Sequence, residues 1–338
     1  MKRLFAICVI VLFSLLGGCG QVSETPTPDY IEVTPDNTPD KIPQWPVDLT
    51  REPSSVTPLM WRVTAPGGQT MVLFGSIHAA DEALYPLPLT VTDALYSCEY
   101  LAVEADIAAF EEDMAALMAM TMSMMYQDGK TVADEIGAEL HERIKTVLAE
   151  LESELELGFS VEMLDNFKPY MWNDLLGSIA LERSGLSYEL GLDRYFLYEA
   201  AVRGMEVLEI EAMSDQIEML LGFSPPLQAA MLEGSLDIDA GALALRELYR
   251  LWKEGDEQTI EEFLTAEDES EDFPEELAEE YTDAMLTQRN IGMAEAAKRY
   301  IAEGKAVFYV VGLSHLLGED SVIDLLRQSG YTVERMPV

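Results

Sequence analysis

Histidine is scarce in this chain: His78, His141 and His315 are the three it has in 338 residues. Basic residues are also few, 21 Lys and Arg against 62 Asp and Glu, which leaves a formal net charge of −41. That balance excludes nucleic acid, or an anionic membrane surface, as a direct electrostatic partner. Acidity is not in itself a sign of a metal site, because most of these carboxylates belong to a solvated exterior. Cysteine numbers three. Cys8 and Cys19 lie in and just after an N-terminal apolar run, so Cys98 has no partner for an internal disulfide. In Leu95-Tyr-Ser-Cys-Glu-Tyr-Leu101, ahead of a strand, Cys98 reads as a small buried residue rather than a catalytic thiol. No apolar run beyond residue 16 is long enough to span a bilayer. Gly-x-Ser-x-Gly, a P-loop and His-Glu-x-x-His are all absent, so a conventional serine hydrolase or nucleotide enzyme has no support.

The N-terminus has the layout of a targeting segment. Lys2 and Arg3 precede an apolar run from Leu4 to Leu16, followed by Gly17-Gly-Cys19. A charged start, a short apolar core and small residues describe a secretory signal. The cysteine after them matches a bacterial lipobox. Residues 1–18 are then removed, Cys19 carries lipid, and the protein sits in the cell envelope, extracytoplasmic and membrane-anchored. The alternative is an ordinary signal peptide, or a short anchor, with an incidental cysteine. Residues 19–56 are rich in Pro, Thr, Asp and Ser and read as a flexible or polyproline-like tether. The folded domain is expected over 57–338.

Nearly half of the chain is apolar, enough for a substantial core. Two stretches organise it: Thr70-Met-Val-Leu-Phe-Gly-Ser-Ile-His78 and Ala306-Val-Phe-Tyr-Val-Val-Gly-Leu-Ser-His315. Both are continuously hydrophobic, as strands covered on both faces are. Both end in Gly-x-x-His. In parallel sheets ligands bind outside the carboxyl ends of the strands, so two imidazoles delivered there point to one shared crevice.

The rest of the chain reads as α/β: a central, mostly parallel sheet flanked by helices, with a large helical insertion. Pro58–Thr64 and the turn Pro66-Gly-Gly-Gln69 form a hairpin with the first His strand. Tyr100–Asp106 and Met205–Glu211 are strands that close on carboxylates. Ile107–Met125 is helical, with Met114, Met118, Met122 and Met125 as core or lid packing; a Cu(I) cluster is the sharper alternative. Thr131–Leu157 is further helix, with His141 exposed on its face and outside any site. Trp172 packs on the helix Tyr170–Glu182, and Asp193 caps Arg194–Arg203. Helices follow at Met213–Leu221 and through 226–303, broken near Ser235 and Gly255. The acidic run Glu267–Glu280 is a solvated loop and helix start. Tyr281–Ala302 carries Arg289 and Asn290, Ser314–Gln328 is the last helix, and a short strand ends the domain.

The polar residues at the strand ends are His78, Glu104, Asp106, Glu209, Glu211 and His315. Two imidazoles and a carboxylate make a recognised ligand set for a divalent ion such as zinc. A second carboxylate supplies a general base, and Arg289 an oxyanion or carboxylate partner. Bland roles compete. Glu104 can cap a helix or pair with Arg289, and Asp106 fits an N-cap of the methionine helix. Glu209 and Glu211 alternate along a strand, so at most one faces the crevice.

Taken together, Phe74-Gly-Ser-Ile-His78, Val103-Glu104, Gly191-Leu-Asp193 with Leu208-Glu209, Gln288-Arg-Asn290 and Val311-Gly-Leu-Ser-His315-Leu-Leu-Gly318 resemble the TraB/GumN family. That family includes the PrgY pheromone-shutdown protein and the Tiki proteases. The resemblance runs from about Pro58 to the C-terminus. It implies a fold related to erythromycin esterase and haem-binding ChaN-like proteins. It also implies metal-dependent proteolysis of the Tiki kind, with manganese or cobalt as the ion and His78, His315 and Glu104 as functional residues. Glu209 and Asn290 become candidates for substrate binding. A second hypothesis is capture of a peptide or haem-like ligand without turnover, two histidines being able to ligate iron.

Overall fold

A computed structural model describes residues 44–151, 161–265 and 274–338. The signal segment, Cys19, most of the tether and the acidic residues 267–273 lie outside them. Six strands form one sheet: β1 (Met60–Thr64), β2 (Thr70–Ser76), β3 (Tyr100–Val103), β4 (Glu206–Glu209), β5 (Val307–Gly312) and β6 (Thr332–Arg335). Their order is β4-β3-β5-β2-β1-β6. β5 lies parallel to both β3 and β2, β4 is parallel to β3, and the hairpin partner β1 is antiparallel to both β2 and β6. The mostly parallel α/β sheet expected from the sequence is therefore the one observed.

The two His-bearing strands occupy the middle of this sheet because their residues are apolar on both faces. Every residue of β5 is buried, as is β2 after Thr70. Phe74, Phe196 and Phe308 pack ring to ring, with centroids 4.9 to 5.6 Å apart. Each such buried ring contributes on the order of 2–3 kcal/mol of transfer free energy. Gly75 leaves the space that Leu313 fills, since a Cβ there would stand 2.5 Å from Leu313 Cδ1. Trp252 crosses from the helix Ile238–Glu254 and donates its indole N–H to Gly75 O at 2.9 Å. Most of the described helices lie in two stretches, between β3 and β4 and between β4 and β5.

Several expectations are corrected. The domain starts before residue 57. The Trp45 ring packs against Tyr85, Tyr195 and Tyr198, and Ser54 N–H donates to Pro86 O, so the end of the expected tether lies on the domain. His141 is buried, not exposed: it falls beside the stripe Leu140, Ile144, Leu148, Leu151 of the helix Ala138–Leu151. Its Nε2 lies 2.9 Å from Asp165, and the ring meets Trp172 edge-on. The methionine helix is two helices, Ile107–Glu112 and Met114–Ser123, divided by Asp113, whose carboxylate caps the second. Met114, Met118 and Met122 face solvent, 72, 69 and 51% exposed, while Met120 and Met124 turn inward. That helix is apolar on every face, so spacing alone does not choose its core side. The last helix is Val322–Gln328, capped by Ser321. Positive φ at Gly318 and Asp320 breaks the earlier part.

Candidate functional site

Strand register brings the two Gly-x-x-His motifs side by side. Gly75 is paired with Val311 and Ser76 with Gly312 across β2 and β5, while Val103 of β3 is paired with Val310. His78, Glu104 and His315 therefore leave adjacent strands at nearly one level. They line a single pocket with Arg289 and Asp193. Their convergence is sharpest beside Gly312. A Cβ on that residue would lie 3.2 Å from Glu104 Oε1, 3.4 Å from His78 Nε2 and 3.6 Å from His315 Cδ2. Glycine keeps this space open.

Each imidazole is held through its far nitrogen. His78 Nδ1 lies 2.7 Å from Asp193 Oδ2, and Ser76 Oγ donates to Oδ1 of the same carboxylate at 3.0 Å. His315 Nδ1 lies 2.7 Å from the side-chain oxygen of buried Asn290, whose amide donates to Asp320 O. Since Asn290 Oδ1 only accepts, His315 carries its hydrogen on Nδ1 and an open lone pair on Nε2. Orienting partners of this sort, a carboxylate and a carbonyl oxygen behind the ring, are the usual outer shell of metal-binding histidines.

Asp193 was expected to be a helix cap. In the structure Gly191 caps the helix Leu192–Arg203, and Asp193 is buried in its first turn against His78. Gly191 permits this by close approach: a Cβ there would stand 2.2 Å from His78 O. Leu192 N–H donates to Ile77 O, which fixes the helix start against the His78 loop.

Glu104 is buried and fully engaged. Oε1 accepts the Gly312 N–H at 2.6 Å and Oε2 accepts from Arg289 at 2.6 Å. Arg289 also donates to Glu211, 2.8–2.9 Å from its Oε2. Of the alternating pair, then, Glu211 turns towards the site. Glu209 instead accepts from Asp106 N–H at 3.2 Å, away from the pocket, and is exposed. Asp106 caps Ile107–Glu112 as expected, accepting from Ala109 N–H. Asn290, a candidate for substrate contact, serves His315. Arg289 lies two residues after a π-helical turn, Asp283–Thr287, a feature frequent at functional positions.

Burial and charge set the protonation states. Burial opposes a charged His78, but the Asp193 carboxylate outweighs it, with help from Glu104, and the pKa rises to about 9. Burial also opposes ionised Glu104, yet Arg289 and both histidines hold it down at about 2. His315 is pushed down to about 3 by burial and by Arg289, against the pull of Glu104. Burial raises Glu211, with Arg289 opposing.

Among the described residues no three His, Cys, Asp or Glu side chains already stand as a metal-binding group. His315 Nε2 and Glu104 Oε1 are 3.9 Å apart, against about 3.4 Å across a tetrahedral ion with ~2.1 Å bonds. The space beside Gly312 is bordered by Glu104 Oε1, His78 Nε2 and the Cδ2 edge of the His315 ring.

Sequence reasoning missed Asp193 as the partner of His78, and Ser76 behind it. The position of Asp193 after Gly191 at a helix start hid it among ordinary caps. A model of the TraB/PrgY/gumN family matches residues 59–335. An Escherichia coli (strain K12) protein described as "Uncharacterized protein YbaP" is 25% identical over 268 residues, covering 78% of this chain and 90% of that protein. A Shigella flexneri protein of the same description is equally similar over the same shares. No solved structure matches the chain.

Proposed function

The chain belongs to the TraB/PrgY/gumN family, and on that premise we propose that it is a metal-dependent hydrolase of peptides, lipid-anchored through Cys19 on the extracytoplasmic side. The observation that carries the reading is the single open space beside Gly312, reached by His78 Nε2, Glu104 Oε1 and the His315 ring. His78, His315 and Glu104 are the residues to hold manganese, cobalt or zinc. When bound, such an ion supplies Lewis acidity and acidifies its water.

The chain's own residues prepare that centre. Asp193 and Asn290 fix the two rings so that both Nε2 atoms face the pocket. Arg289 keeps Glu104 ionised and, with the Gly312 N–H, fixes its orientation. Glu211 balances the second half of the Arg289 charge. Arg289 also stands on the pocket wall, where it can face a developing anion.

Capture without turnover is the second reading, and one observation favours it. With His78 at about 9, Glu104 at about 2 and His315 at about 3, none of these three groups titrates near neutrality as a general base should. An ion held by His78 would take the place of its proton. The test is metal content and cleavage of a fluorogenic peptide by the full chain, beside His78→Ala. One ion per chain and metal-dependent cleavage, both lost in the variant, are expected. Equal metal content and equal cleavage in the variant exclude the hydrolase reading. A haem-like ligand is checked by a Soret shift that depends on His78 or His315.

A further inference from the structure

The pocket has two unlike halves. Its floor is the polar centre at the strand ends, and its wall comes from the helices between β4 and β5. That wall is apolar: Met213, Met219, Leu245, Leu248, Met285 and Leu286 all line it. Gln216 and Arg289 are the polar residues that these helices add, and the Gln216 amide already donates to Glu211.

The charged groups around the pocket are committed as well. Among its described lining residues the cations are Arg194, Arg289 and His78. Arg194 is paired with Glu111, and Arg289 with Glu104 and Glu211. The lining carboxylates, Glu104 and Asp193, are held by Arg289 and His78. With no metal ion in place, a charged side chain, or a free terminal carboxylate, entering this space finds its possible partners already paired. It loses its hydration without replacement, at a cost of several kcal/mol in a buried site. A large apolar side chain instead exchanges water for methionine and leucine contacts. Methionine is unbranched and flexible, so such a wall adapts to more than one apolar shape.

We propose that this wall is a side-chain subsite: the protein takes an internal, uncharged stretch of peptide and seats a Leu, Met or Phe side chain against Met213, Met219 and Leu286, beside the space at Gly312. The inference rests on the peptide reading of the site, and it names the substrate class.

The test uses N-acetylated, C-amidated pentapeptides with Leu, Ala, Glu or Lys at the centre, and the Leu peptide again with a free C-terminal acid. Binding is measured by calorimetry on the full chain with His315→Gln, which lacks one proposed ligand and holds substrate uncleaved, and on wild type under chelation. The Leu peptide should bind at least about tenfold tighter than the Ala peptide, the scale of discrimination an apolar pocket gives. The Glu, Lys and free-acid peptides should be weaker still. Met219→Lys, on a half-buried position, should invert the order in favour of the Glu peptide. Equal affinity for Leu and Ala, tighter binding of the free acid, or no binding of the Leu peptide at millimolar concentration overturns the proposal. Selective binding without cleavage by the metal-loaded wild type would remove the hydrolase reading and leave the subsite standing.

Discussion

His78 Nδ1 and Asp193 Oδ2 lie 2.7 Å apart, although 115 positions separate them in the chain. The carboxylate is itself buried, and Ser76, two residues before His78, donates to its other oxygen. One strand thus presents the imidazole and also steadies the group behind it.

Asp193→Asn keeps the shape of this contact and deletes its charge. The His78 pKa should fall from about 9 towards its ordinary 6.5. Loss of an orienting carboxylate of this kind costs roughly 10–100-fold in metal affinity. Titration with manganese, cobalt or zinc measures it, and an affinity unchanged from wild type contradicts the assigned role.

Gly312→Ala probes the centre without touching a ligand. Gly312 has φ −52 and ψ 138, a conformation alanine adopts freely. The added methyl would stand 3.2 Å from Glu104 Oε1 and 3.4 Å from His78 Nε2. The variant should fold, with a near-native circular dichroism spectrum, and bind metal far more weakly. Full metal binding would show that the ion does not use this space.

Arg289→Met leaves buried Glu104 and half-buried Glu211 facing each other without their shared cation. Breaking a buried pair in this way costs about 3–5 kcal/mol. Adding Glu211→Gln should restore part of the loss. Urea denaturation of the single and double variants reads both effects, and a single variant as stable as wild type would refute the account.

Stability should also fall on both sides of about pH 6.5. The unfolded chain protonates His315 near 6.5, whereas the folded chain refuses the proton until about 3. Folding therefore loses stability as pH drops through that window, and Glu104 extends the loss from 4.5 towards about 2. His78 acts in the opposite sense. Its raised pKa gives stability that is complete below 6.5 and gone once pH has risen through about 9. Urea midpoints between pH 3 and 10 test this, and His315→Gln should flatten the acid limb alone.

Cys19→Ser should release the protein from the membrane fraction and abolish palmitate labelling. Labelling that persists in the variant would show that lipid is attached elsewhere.

The sheet and the meeting of the two histidines were legible in the sequence because both depend on local pattern. Continuous apolar runs ending at glycine identify β2 and β5, and parallel pairing brings their ends together. Asp193, Glu211 and Asn290 were named as residues but given other duties, since their roles depend on where a helix lands rather than on spacing. Glu209 and Glu211 differ by two positions, and the turn after β4 decides which one meets Arg289. His141 shows the same limit: a polar residue next to an apolar stripe is buried only if a neighbour such as Asp165 accepts it.

The final 32 residues of the chain hold the middle of its sheet, because β5, residues 307–312, lies between β3 and β2. During synthesis the halves contributed by earlier residues have no common seam until this segment arrives. A truncation before residue 307 removes β5 and β6 together and would bare the edges of β3, β2 and β1 that the native sheet pairs. Nonsense mutations just before residue 307 should therefore yield aggregates rather than weakened protein.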